Sequence, residues 1–316
     1  MATFYVMDEY TMWFKNLRLY LLDTKFEYSE AELNKLLDTQ RYHKCSGQEM
    51  TRTGFVNVLG NKDSQNLCYF SDNDNVFFRI RTEKKVLPAS VITEELAERV
   101  ESMEIDKCRN LTKKEKSELK EAVITALLPR AFSTFKENFI WINTKHNYLV
   151  VNAASESAAD MAVMLLRKAL TTLPAHAPLF KKEITECLTT WLVSQEPPAE
   201  IEIGAETEMR GAEGEGGIIR AKKQDLGTDE MLAHLKAGKV VTSLALIVKN
   251  DISLVIDDCF GIKRIRLADT LTDTDDASAN ESPEARMAAD FVLMTGTYCG
   301  LFDVLFDAFG GLDEEE

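Results

Sequence analysis

The chain predicts an α+β fold, and three observations carry that expectation. Strand-like and helix-like segments mix along its 316 residues without the regular alternation that builds a doubly wound parallel sheet. With 45% hydrophobic and 28% charged residues, its composition is that of an ordinary globular protein. Its length exceeds one small domain and suits two or three packed subdomains, and no internal repeat divides it.

The elements follow in order. Residues 13–22 (WFKNLRLYLL) alternate apolar and polar positions, as in a half-buried strand. Glu30–Asp38 reads as a helix capped by Ser29, with Leu33, Leu36 and Leu37 on one side. Strand-like runs follow at 66–70 and 76–81, and a charged helix over 91–109. Thr112-x-x-Glu115 is a capping-box pattern that opens a helix ending at Leu128, before Pro129. A hairpin pairs 139–143 with 148–152 through Lys145-His146-Asn147. Helices are expected over 157–170 and 181–193, the second carrying Ile184, Leu188 and Trp191. Residues 194–217, rich in Pro, Gly and Glu, read as a connector with a short extended segment. A strand at 218–222, a helix at 228–237 and a three-strand meander over 239–267 come next. An acidic loop at 272–283 and a long apolar helix over about 284–308 close the chain before Gly310-Gly311. The division this suggests is an N-terminal extension (1–11), an α+β region (12–90), a basic helical region (91–138), a hairpin with helices (139–193), the acidic connector (194–217) and a C-terminal α+β region (218–316).

The net charge of −15 argues against a polyanionic partner until its distribution is considered. Residues 267–316 sum to −12 and residues 183–215 to −8, whereas 107–145 sum to +5 and 216–266 to +3. The local field, not the total, decides which face meets a polyanion. Enzymatic chemistry finds little support. The six cysteines lie far apart with no CxxC pair, as scattered reduced thiols do. The four histidines have no carboxylate or cysteine partners at metal-ligand spacing. Gly211-x-x-Gly214-x-Gly216-Gly217 lacks the Gly-Lys-Ser/Thr of a phosphate loop. Asp273, Asp275 and Asp276 lack the glycine and terminal glutamate of a calcium loop and read as a solvated turn. No membrane span, export signal, cofactor or metal is expected, and the anticipated setting is the cytoplasm.

Six blocks in order resemble the RdgC family of recombination-associated proteins. They are Met12-Trp13-Phe14-Lys15-Asn16-Leu17, Lys85-Val86-Leu87-Pro88, and Leu127-Leu128-Pro129-Arg130-Ala131-Phe132-Ser133. Further on stand Gly217-Ile218-Ile219-Arg220-Ala221-Lys222-Lys223-Gln224-Asp225-Leu226, Ala237-Gly238-Lys239-Val240-Val241-Thr242, and Ala289-Asp290-Phe291-Val292-Leu293-Met294-Thr295-Gly296. The resemblance spans nearly the whole chain; the eleven residues before Met12 depart from the family's usual start. It implies a crescent-shaped subunit closing into a ring-shaped homodimer whose basic hole admits duplex DNA without sequence preference. It also implies a nucleoid role in restraining the RecA recombinase.

Two clusters are candidates for phosphate contact. Lys113, Lys116 and Lys120 share one strip of the helix from Thr112, and Lys114 adds charge in the first turn, where lysine opposes the helix dipole. A solvated helix face is the competing reading. Arg130 follows in the basic block after Pro129. Arg220, Lys222, Lys223 and Gln224 form the second cluster: Arg220 and Lys222 share a strand face and Lys223 leaves it. An edge strand protected by lysines is its alternative. Phe132 is either a core aromatic or an anchor of the ring interface, and Phe302 and Phe306 of the last helix are expected at that interface. The competing function, from a different class, is an acidic module that binds basic protein partners without touching DNA.

Overall fold

The computed structural model describes residues 13–60, 65–71, 74–211, 217–268 and 282–313. Among the described residues, the centre is one antiparallel sheet of twelve strands: β1 (Leu17–Leu22), β2 (Thr51–Val56), β3 (Cys68–Ser71), β4 (Asn75–Val86), β5 (Phe132–Asn143), β6 (Tyr148–Val151), β7 (Ala175–His176), β8 (Ile201–Gly211), β9 (Ile219–Lys222), β10 (Lys239–Val248), β11 (Ile252–Asp257) and β12 (Gly261–Leu267). The strand order is β2-β4-β5-β6-β1-β12-β11-β10-β8-β9, with β3 on β4 and β7 on β1. The helices among the described residues are α1 (Glu30–Asp38), α2 (Ala89–Lys107), α3 (Lys113–Leu127), α4 (Glu156–Leu170), α5 (Ile184–Ser194), α6 (Asp229–Lys236) and α7 (Pro283–Ala308). The mixed α+β expectation holds.

Period-two alternation sorts the strands' side chains onto two apolar cores. Around β1, β4, β5 and β6, one face presents Phe78, Ile80, Ile140, Ile142, Leu149 and Val151 to α1 and α4. The other presents Phe77, Phe139, Trp141, Tyr148 and Val150 to α7. Phe77 stacks on Phe291 with ring centroids 3.8 Å apart, and Trp141 stacks on Phe302 at 6.3 Å. Across β8–β12 the described residues cover one face: Met209, Val241, Leu244, Leu246, Val248, Leu254, Ile256, Ile262 and Ile265 pack with α5 and α6. Residues on the opposite face of those strands, among them Glu206, Glu208, Val255 and Lys263, belong to neither core.

Two sequence expectations are corrected. The connector over 194–217 holds β8, eleven residues long and paired with both β10 and β9. Phe302 and Phe306 do not face a partner: they are 0% and 8% exposed, sealed against Trp141, Tyr148 and Phe260 of the same subunit. The apolar excess of the last helix is consumed by the broad sheet it crosses.

Candidate nucleic-acid interface

The helical hairpin α2–α3 is inserted between the long strands β4 and β5, and α2 has no fully buried residue. Thr112 and Glu115 close a reciprocal capping box, so α3 starts where the sequence places it. Glu115 also accepts hydrogen bonds from Lys107 at 2.8 Å and from Arg109 at 2.8 and 2.9 Å. Arg109 first, then Lys107, these donors hold its carboxyl well below the usual range. Lys113, Lys114, Lys116 and Lys120 are not buried in either core. Lys116 is tethered to Glu104 of α2 at 3.3 Å and Lys114 lies 4.0 Å from Glu118. Arg130, in a 3-10 turn after α3, is exposed.

Below the hairpin, Glu83 is buried and accepts from Ser133 Oγ at 2.6 Å, Tyr42 Oη at 2.6 Å and the Cys45 backbone N–H at 2.8 Å. Those donors pull its pKa down to about 2. The buried ammonium of Lys85 donates to the Leu128 carbonyl at 2.9 Å and to the Gly47 carbonyl at 3.3 Å. These two charges fix the base of the hairpin and the start of β5. There Phe132 is 87% exposed, with Phe135 at 55% three residues on. Of the alternatives for Phe132, the core aromatic is excluded.

The second cluster lies on the open face of β8–β12. The pairing of β8 with β9 sets Glu208 opposite Arg220 and Glu206 opposite Lys222. Arg220 Nε donates to Glu208 at 2.6 Å and Arg210 donates to the same carboxylate at 2.7 and 2.9 Å. These arginines, Arg220 first, lower the Glu208 pKa. Lys223 takes a left-handed backbone (φ 55°) at the end of β9, which breaks strict alternation. It therefore lines a recess of about 230 Å³ together with Arg264 and Arg266, instead of leaving the face as alternation predicts. Gln224 is exposed, and its backbone N–H donates to the Ala205 carbonyl at 3.3 Å.

Three cations on this face escape the sequence reading: Lys263, Arg264 and Arg266. The β11–β12 pairing shifts register between Ser253 and Val255, and Arg264 is left-handed (φ 53°). This is a bulge, in which two residues of one strand oppose one of the other. It lets Lys263 and Arg264 both reach the open face while Ile262 and Ile265 stay buried. Without it, Arg264 would point into the apolar core. The available signal is the spacing of Ile262-Lys263-Arg264-Ile265, a step of three residues from one buried position to the next where a regular strand steps by two. Arg264 Nη1 also lies 2.6 Å from Glu206 Oε2, close as a charge contact but misaligned as a hydrogen bond. Lys263 Nζ contacts Asp257 at 2.8 Å. Asp257 is a fixed structural anion: it also accepts from Arg18 at 2.6 Å and from the Gly261 N–H at 2.6 Å.

The fold gathers Arg220, Lys222 and Lys223 with the bulge cations, but it does not gather them with the α3 lysines. Seven strand-to-strand steps separate β5 from β9, roughly 34 Å at about 4.8 Å each. Among the described residues no group of three or more His, Cys, Asp or Glu side chains is placed to hold a metal ion. Asp273, Asp275 and Asp276 lie outside the described residues.

Residues 12–312 match the family model described as "RdgC: Putative exonuclease, RdgC". The chain is 39% identical over 300 residues to a protein of Yersinia pestis (strain Pestoides F) named recombination-associated protein RdgC, covering 95% of this chain and 98% of that one. It is 40% identical over 303 residues to the Aeromonas hydrophila protein of the same name, covering 96% and 99%. A match of this length and identity leaves one conclusion: the chain belongs to the RdgC family of recombination-associated proteins.

Proposed function

We propose that the protein binds duplex DNA through its phosphates, without sequence preference, as a homodimer that encircles the DNA and thereby restrains RecA-type recombination at the nucleoid. The observation that carries the reading is the sheet face that the described residues leave open, where Arg220, Lys222, Lys223, Lys263, Arg264 and Arg266 border two adjoining recesses of about 210 and 230 Å³. A face of Lys and Arg with backbone-level recesses suits phosphate oxygens, which position a protein on DNA but carry no sequence code. Base readout needs a defined set of amide and guanidinium donors aimed at groove edges, and Gln224 alone does not make one. Lys113, Lys116 and Lys120 of α3 are assigned to phosphate contact as a second, separate set of cations. Phe132, exposed on a braced strand end, fits a hydrophobic ring contact.

Binding of two duplexes of unrelated sequence tests the proposal. Their affinities should agree within a few-fold at each salt concentration. A preference of roughly a hundredfold or more for one of them overturns sequence indifference. The same mixtures with Mg²⁺ or Mn²⁺ should leave both duplexes intact. Shortened strands that depend on the metal would replace this reading with an exonuclease.

A further inference from the structure

We propose that Glu206 and Glu208 are a built-in brake on the basic face: they occupy its arginines until a phosphate displaces them. The proposal rests on the duplex-binding reading and adds to it how tightly that face can hold its ligand. The cations divide into two groups. Lys222, Lys223 and Arg266 have no ion pair among the described residues, whereas Arg210 and Arg220 share Glu208, and Arg264 faces Glu206. All three arginines are at least half exposed at the side chain, while Glu208 and Glu206 are only 19% and 27% exposed. The carboxylates therefore form the floor and the guanidinium groups the upper layer.

A carboxylate and a phosphate present the same forked acceptor to an arginine. An incoming phosphate competes for Arg220 with Glu208 and for Arg264 with Glu206. Arg264 turning to DNA leaves Glu206 without its ion-pair partner, and Arg220 turning leaves Glu208 with Arg210 alone, so the exchange lowers the net gain. Glu206 is the looser of the two, because its contact with Arg264 is already misaligned. Asp257 differs. Five donors hold it, two of them from buried Arg18 and two from the backbone at Cys259 and Gly261, with Lys263 as the fifth. It anchors the strand ends and releases nothing.

A merely structural cross-strand ion pair makes a different forecast. Removing it would lower stability and leave DNA affinity where the change in net charge puts it. The experiment is duplex binding by the full-length Glu206→Gln/Glu208→Gln protein, set against a Glu27→Gln/Glu196→Gln control of equal charge change away from the face. The brake predicts affinity about tenfold higher for the first, with a steeper salt slope because more cations reach phosphate, and a rise below about threefold for the control. Equal rises in the two proteins overturn it. Glu206→Gln alone, which breaks only the misaligned contact, gives the reading if the double variant does not fold: no rise over a Glu27→Gln control overturns the brake. Wild-type protein settles the underlying reading separately. Absence of duplex binding by wild type and by both variants defeats DNA binding itself, whereas binding gained only by the double variant supports the brake.

Discussion

At the residue scale, two buried charges decide how the hairpin base is built. Glu83 ties Tyr42 and Cys45 of the loop before β2 to Ser133 of β5, so its truncation leaves three donors facing a void. Glu83→Ala should cost roughly 2–4 kcal/mol in urea unfolding. The acid dependence follows from the depressed pKa. A carboxyl near 2 when folded and near its ordinary 4.5 when unfolded contributes stability that is complete above about pH 4.5. That contribution drains away as the pH falls towards 2. Unfolding measured between pH 5 and 2 should therefore show a steep loss in the wild type and a shallower one in Glu83→Gln. Equal slopes would mean that the carboxylate is not held by these donors.

At the element scale, the α3 strip asks for a sharper test than the sheet face, because a solvated helix face explains it equally well. Replacing Lys113, Lys116 and Lys120 with Gln keeps helix propensity nearly unchanged. Folding should survive while duplex affinity falls alike for every sequence, with the salt slope flattening by up to about 0.9 for each phosphate that is no longer neutralised. Lys236→Gln/Lys249→Gln is the control; an equal fall in affinity there points to diffuse charge. The legibility of the elements has physical reasons. Helices α1 and α3 could be read to within a residue or so because their capping boxes are local chemistry. Strand β2 is illegible in the sequence because Gly54 interrupts its pattern; a Cβ there would meet the Tyr42 backbone at 2.5 Å, so close packing dictates the glycine. Strand β8 hid among Pro and Gly because Glu202, Glu206 and Glu208 stand between its buried residues Ile201, Thr207 and Met209. The bulge in β12 leaves one faint trace, the three-residue step from Ile262 to Ile265, and only the register shift shows that it puts two adjacent cations on one face.

At the scale of the whole molecule, a negative protein presents a positive face because strand pairing collects cations that the sequence scatters over residues 220–266. The dimer has its own test. Phe132 lies almost entirely in solvent, so Phe132→Ala should leave folding intact, and sedimentation at low micromolar concentration should shift from dimer towards monomer. An unchanged dimer would move the interface elsewhere. The central claim is that phosphates meet the open face of β8–β12, and the salt dependence of duplex binding tests it most directly. Lys222, Lys223 and Arg266 have no ion pair among the described residues, so changing all three to Gln takes cations away from the DNA without stranding a carboxylate. In a symmetric dimer the triple change removes up to about six neutralised phosphates, two for each position. On a plot of log affinity against log salt, the account predicts a line whose slope is shallower by up to about 0.9 for each of them. An unchanged slope in a folded variant would contradict it and put the DNA on another surface.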